Sequence, residues 1–300
     1  MKLKKNILIS GAGGYIALHL AKMLRQEGYN IIKGTKDEHG DFCLNFSNPQ
    51  DIRNAQINDI DVMIHTVSPN EELYKIDPCK AITEHLAGMY AALDFCINNN
   101  ICDFIYFSSF HVFGKTHGRI DEKSTVSPNN DYGLAHCVAE QVIQMYARNN
   151  KINGWIIRPS NVYGIPVVLG KFKRWNLIPF AFCREVAQHK SITLLTSGSQ
   201  LRNFIGINDL CRKVKWVIEK RPKDMLWNAY GSETMSVFHF AKLIQNIADN
   251  KFDLTVNIKR PEGVERVTEF DYTSLYKNKE IDPIENLEDF IIEMLTNLLN

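Results

Sequence analysis

The 300-residue chain predicts an α/β fold, a doubly wound parallel sheet followed by a smaller mixed α/β lobe. Three observations predict it. Short runs that are apolar nearly throughout (NILIS, YNIIKGT, DVMIHTV, FIYFSS, GWIIRPS) alternate with longer amphipathic stretches such as YIALHLAKMLRQEG and AITEHLAGMYAALDFCINNN. Strands without polar alternation are buried on both faces, the condition of a parallel sheet that carries helices on each side. The first run passes through glycines straight into a helical pattern, and beyond about Gly164 the rhythm loosens.

Taken in order, strand NILIS leads into Gly11-Ala12-Gly13-Gly14-Tyr15-Ile16. Gly11 and Gly14 let backbone approach a pyrophosphate, and the helix that begins at Tyr15 and Ile16 turns its amides and positive dipole end toward it. A glycine turn alone serves conformation as readily as binding. Between a strand and a helix at the chain start it predicts a dinucleotide-binding Rossmann core. The second strand ends Lys33-Gly34-Thr35-Lys36, with no carboxylate before Asp37 to hold a ribose 2′-hydroxyl. Thr35 and Lys36 suit a 2′-phosphate, which favours NADP(H) over NAD(H), although Lys36 also reads as a solvated surface lysine. Further on, DYGLAHCVAE places Tyr132 and His136 four residues apart, on one helix face.

The later chain holds VVLGKFKRWNLIPF, a hairpin-like SITLLTSGSQLRNFI, the basic stretch RPEGVERV and an acidic amphipathic end. Residues 1–165 are expected to form the core, rejoined by segments near 203–230, and residues 166–300 mostly the smaller, substrate-binding lobe. A net charge of +1 offers no field for nucleic acid or an anionic membrane. The apolar run after MKLKK is broken by glycine too soon for a signal segment or a span, so the chain reads as cytoplasmic. Seven cysteines without CxxC or zinc spacing read as free thiols, and no metal site is expected.

FIYFSSFHVFG, DYGLAHCVAE and IIRPSNVYG together resemble the extended short-chain dehydrogenase/reductase family, in its NAD-dependent epimerase/dehydratase branch that acts on nucleotide-diphosphate sugars. GAGGYIA, DVMIHTV, WNLIPF and LRNFIGINDL continue the likeness over essentially the whole chain. The resemblance implies Tyr132 as general acid/base and Ser109 as the hydroxyl beside it, with Ser108 a competitor for that role. It implies cofactor contacts at Asn45 and Phe46 and at Thr66 and Val67, and substrate contacts at His111, Asn161, Asn176 and Leu177. Arg202 would pair with the diphosphate, for which a planar fork of donors is suited, and Arg260 is a second candidate that also reads as a solvated loop residue. Four positions depart from the family pattern: His136 stands for the lysine of YxxxK, His85 for an asparagine, Asn45-Phe46 for an Asp-hydrophobic pair, and Val67 for a small residue.

The expected function is NAD(P)H-dependent reduction of a keto group on a nucleotide-diphosphate sugar. His136 would orient the nicotinamide ribose and supply the lysine's positive charge only part of the time. The alternatives are an epimerase that retains NAD and a non-catalytic dinucleotide sensor. The two long helices are apolar around more than one stripe, and relatives pair them across a two-fold, so a homodimer is expected.

Overall fold

The computed structural model describes residues 5–37, 39–263 and 269–299. They fall into two compact units. One takes Met1–Lys115, Glu122–Pro159 and Lys213–Asn228; the other takes Thr116–Asp121, Ser160–Arg212 and Ala229–Asn300.

The first unit is built on seven strands, β1 (Asn6–Ser10), β2 (Asn30–Thr35), β3 (Phe42–Cys43), β4 (Val62–His65), β5 (Asp103–Phe107), β6 (Asn153–Pro159) and β7 (Leu226–Ala229). Their order is β7-β6-β5-β4-β1-β2-β3, and the pairs that link β3 through to β6 are all parallel. From β1 the chain winds outward in both directions, which opens a crevice at the carboxyl ends of β1 and β4, where such sheets bind ligands. Every residue of β4 and β5 is buried, as their unbroken apolar runs require. The expected α/β Rossmann sheet is present.

Helices α1 (Tyr15–Gln26), α2 (Pro49–Asn54), α3 (Glu71–Ile76), α4 (Pro78–Asn98) and α5 (Asp131–Arg148) belong to this unit, together with the second half of helix Ile207–Lys220. The two long ones are capped by their own sequence. Asp77 accepts from the Lys80 amide at 3.0 Å with Pro78 in the first turn, and Asn130 accepts from the Gly133 amide at 2.8 Å. Their inner faces pack Met89, Phe95, Ala139 and Ile143 against Met63, Phe104 and Ile156 of the sheet. Gly133 lets α5 start tight against the preceding loop, since a Cβ there would stand 2.5 Å from the His111 carbonyl.

The second unit has a three-stranded sheet in which Leu201–Gly206 lies between Glu233–Ser236, antiparallel, and Asn161–Tyr163, parallel. The hairpin expected at SITLLTSGSQLRNFI does not form. Ser191–Thr193 pairs parallel with Asn257–Lys259 instead, and Gly198, at φ +75°, turns the chain so that its carbonyl takes the Phe238 amide at 2.9 Å. A glycine turn between two β-rich runs fixes a change of direction and leaves the pairing partner open. Helices Ile178–His189, Val237–Phe252 and Leu287–Leu299 share this unit's core, with Phe180 and Phe290 edge to face at 5.6 Å. Of the basic stretch RPEGVERV, residues 264–267 lie outside the described residues.

Candidate functional site

At the end of β1, Gly11 takes φ +71°, and a Cβ on it would stand 2.9 Å from both Thr66 Oγ1 and Val67 Cγ2. The turn closes through Gly14 N to Gly11 O at 2.8 Å, and Gly14 caps α1 without a side chain. A Cβ at Gly13 would meet nothing within 4 Å. Amides at an uncapped helix start, no acidic residue in the first turn and open space before them fit the pyrophosphate of a dinucleotide. Tyr15 and Ile16 open that helix, and Thr66 Oγ1 donates to Ser10 O at 2.7 Å across the switch point.

Thr35 closes β2, its hydroxyl donating to the Asp37 carbonyl at 2.8 Å, and Lys36 beside it is exposed. Asn45 turns the chain after β3 through its side-chain oxygen, which accepts from the Ser47 amide at 3.1 Å. Phe46 packs edge-on to His65, ring centres 5.0 Å apart. Burial holds His65, the last residue of β4, down to about 3, and its Nδ1 meets Ser10 Oγ at 2.8 Å.

Beyond β5 the two serines separate by their partners. Ser108 Oγ donates to Glu140 Oε1 at 2.5 Å, where Arg158 Nε also binds at 2.8 Å, so its hydroxyl is committed to a buried ion pair. Ser109 instead caps the short helical turn Phe110–Phe113 by accepting from the His111 amide at 3.3 Å. That turn brings the His111 ring to 5.7 Å from the Tyr132 ring, and His136 lies 4.5 Å from Tyr132 on the opposite side in sequence. Ser109, His111, Tyr132 and His136 thus belong to one unit and border one another through Tyr132 and the turn.

His136 is buried and joined to three side chains. Its Nδ1 meets Tyr106 Oη at 2.5 Å; Tyr106 Oη meets His85 Nε2 at 2.9 Å; His85 Nδ1 meets Tyr74 Oη at 2.6 Å. The other end, His136 Nε2, is buried with no hydrogen-bond partner. Burial holds His136 well below the ordinary imidazole value, with His85 and His111 adding to the effect, and holds His85 down to about 4. The same burial pushes Tyr106 and Tyr74 up. Desolvation thus works against a charged His136, and against the part-time positive charge expected of it. Sequence reading singles out His85 and His136 separately, but not Tyr106, Tyr74 or His65; the signals are a histidine and a tyrosine inside the apolar strands β4 and β5, and for Tyr74 one aromatic residue in the short polar helix α3.

In the second unit, Asn161 donates to the Asn203 carbonyl at 2.9 Å, and Asn176 and Leu177 stand immediately before helix Ile178–His189. Arg202 is partly buried, bonds the Leu201 carbonyl at 3.0 Å and makes no ion pair among the described residues. Burial lowers its pKa, the mark of a cation without a counter-charge. Arg260 stacks on Phe238 at 3.6 Å and donates to the Ser197 carbonyl at 3.2 Å. Among the described residues no group of three or more His, Cys, Asp or Glu side chains could hold a metal ion, and no helix is long and apolar enough to cross a membrane.

A family model described as the NAD dependent epimerase/dehydratase family matches residues 7–229. A protein of Bacillus subtilis described as an uncharacterized UDP-glucose epimerase, YtcB, is 25% identical over 271 residues, 83% of this chain and 84% of its own. Among solved structures, RMD from Pseudomonas aeruginosa complexed with NADPH superposes with TM-score 0.80 at 15% identity, covering 99% of each chain. UDP-glucose 4-epimerase from Thermotoga maritima with UDP-glucose gives 0.78 at 18% identity over 97% of each. At these identities the two structures speak for the fold.

Proposed function

Since the chain belongs to the NAD dependent epimerase/dehydratase family, we propose that it reduces a keto group on the sugar of a nucleotide-diphosphate sugar with NADPH. Tyr132 is the general acid, and Ser109 shares the hydrogen bond to the reacting oxygen. Gly11, Gly14, Tyr15 and Ile16 hold the pyrophosphate, Thr35 and Lys36 the 2′-phosphate, Asn45 and Phe46 the adenine side, Thr66 and Val67 the middle of the dinucleotide, and His136 the nicotinamide ribose. Asn161, Asn176, Leu177, Arg202 and, second to it, Arg260 hold the nucleotide sugar, with His111 beside the sugar.

The observation that carries the reductive direction is the burial of His136 against Tyr132, ring centres 4.5 Å apart, which favours a neutral imidazole there. Bringing a phenol from about 10 to about 7 takes roughly 4 kcal/mol of differential stabilisation, which one cation at about 4 Å supplies at an effective dielectric near 20. A neutral imidazole supplies none of it. Tyr132 is then the proton donor, giving its proton to a carbonyl oxygen and taking another from solvent afterwards. Hydride to the carbonyl carbon is the chemistry supplied by the dinucleotide when bound. Arg202, half-buried without a carboxylate, favours a diphosphate, and anchoring that remote group lets binding energy position the sugar.

A second reading, an epimerase that retains NAD, draws on the naming of the Bacillus relative. Incubating the purified protein with NADPH and a panel of nucleotide-diphosphate keto sugars separates the two. Net NADPH consumption with a reduced sugar supports the reductase. Interconversion of epimers without net consumption, with NAD carried through purification, supports the epimerase, and neither activity points to a non-catalytic sensor.

A further inference from the structure

The file that ends at His136 has a direction, and the direction decides what His136 offers a ligand. Tyr106 Oη carries one hydrogen and touches two imidazole nitrogens, His85 Nε2 and His136 Nδ1, so it donates to one and accepts from the other. A neutral imidazole likewise has one N–H and one lone pair. The four groups therefore point all one way or all the other.

In the first polarity, Tyr74 donates to His85 Nδ1, His85 Nε2–H donates to Tyr106, and Tyr106 donates to His136 Nδ1. His136 then carries its hydrogen on Nε2, the atom without a partner. In the reverse polarity, His136 Nδ1–H donates to Tyr106, Tyr106 to His85 Nε2, and His85 Nδ1–H to Tyr74. Two groups are then left over: His136 Nε2 is a bare acceptor, and the Tyr74 hydroxyl hydrogen has no acceptor among the described residues. The first polarity leaves one unmet group where the second leaves two. Around His136 stand His85 from α4, Tyr106 from β5, His111 from the turn after β5 and Tyr132 from its own helix, and burial favours the neutral forms of His85, Tyr106 and His136.

We propose that Tyr74, His85 and Tyr106 are positioning residues that lock His136 as the Nε2–H tautomer, so that it meets a ligand as a hydrogen-bond donor and calls for an acceptor oxygen there. Under the functional reading above, on which this point rests for the ligand's identity, that oxygen is a ribose hydroxyl of the dinucleotide. The lysine usual at this position would bring charge and donors together; here the donor is kept and the charge is not.

The test uses the ligand-free protein, uniformly labelled with ¹⁵N on histidine, at pH 7, where long-range proton–nitrogen spectra tell a protonated ring nitrogen from a bare one. His136 is expected with Nε2 protonated and Nδ1 bare. Tyr74→Phe keeps the ring that packs edge-on to Tyr132, centres 5.5 Å apart, and removes only the hydroxyl that sets the direction, and His136 is expected to become a mixture of tautomers. Its dinucleotide Kd then rises about twofold, because about half the protein presents the donor. Tyr106→Phe should disturb the tautomer at first hand, and retained far-ultraviolet circular dichroism shows either variant to be folded. An Nδ1–H tautomer in the unaltered protein, or an unchanged Nε2–H tautomer in both variants, would overturn the proposal. The expected spectra in a protein that binds no dinucleotide would uphold the lock and remove the functional reading instead.

Discussion

His85 and His136 show why two unusual residues can be read in a sequence without their consequence. Both stand out by position, yet the group that joins them, Tyr106, lies on a strand between them in space and looks in the sequence like one more apolar run. The same burial has a price in acid. His85 is held down to about 4 and His65 to about 3, against 6.5 unfolded, so the unfolded chain binds more protons between those values and stability falls as pH drops from about 6.5, to about 4 through His85 and on to about 3 through His65. At about 1.36 kcal/mol per unit, His85 alone accounts for a loss of about 3 kcal/mol. Urea midpoints measured from pH 7 to pH 4.5 should fall steadily, and His85→Gln should flatten the curve; a midpoint independent of pH would contradict the neutral burial of these rings. Lys36 offers a second test at this scale. Lys36→Ala should lose most of a tenfold to hundredfold preference for NADPH over NADH, by the roughly 1.5 to 3 kcal/mol of a well-placed charge contact, read from the two dissociation constants.

The helices carry consequences that single residues do not. Glu140 on α5 holds Arg158 on β6 through two bonds, and both side chains are almost fully buried, so the pair ties helix to sheet and fixes Ser108. Glu140→Gln leaves a buried guanidinium without its counter-charge and should cost about 3 to 5 kcal/mol in chemical denaturation. A loss under 1 kcal/mol would mean that the pair is not sequestered. On the outside of α4 and α5, Tyr90 and Ile97 are seven residues apart and Leu134 and Met145 eleven, near-whole turns in each case, and all four are exposed. These stripes suit the homodimer expected from the resemblance, in which α4 and α5 pair across a two-fold. Leu134→Glu with Met145→Glu should turn a dimer into a monomer by sedimentation at micromolar concentration; a monomer before substitution would refute it. The core helices and strands were legible because strands buried on both faces leave an unbroken apolar signature. The 191–206 segment was not, because its strands pair with Asn257–Lys259, Asn161–Tyr163 and Glu233–Ser236, all far away in sequence, and local alternation carries no record of distant partners.

At the scale of the whole molecule, the proposed reduction asks a pyrophosphate-fitting turn and Tyr132 of one unit, and Arg202 of the other, which makes no ion pair among the described residues, to serve one substrate. The remote anchor is separable from the chemistry: Arg202→Ala should raise KM for the nucleotide sugar strongly while kcat changes less, and an unchanged KM would remove the diphosphate from this arginine. The catalytic centre is tested most directly by initial rates in both directions at pH 7 with whichever nucleotide-diphosphate sugar is accepted, for the unaltered protein, Tyr132→Phe and His136→Lys. The account predicts that Tyr132→Phe abolishes both directions and that His136→Lys, by restoring a fixed charge beside the phenol, raises the oxidative rate more than the reductive one. Reduction that survives in Tyr132→Phe, or a lysine at 136 that speeds both directions equally, would contradict a protonated Tyr132 as the general acid.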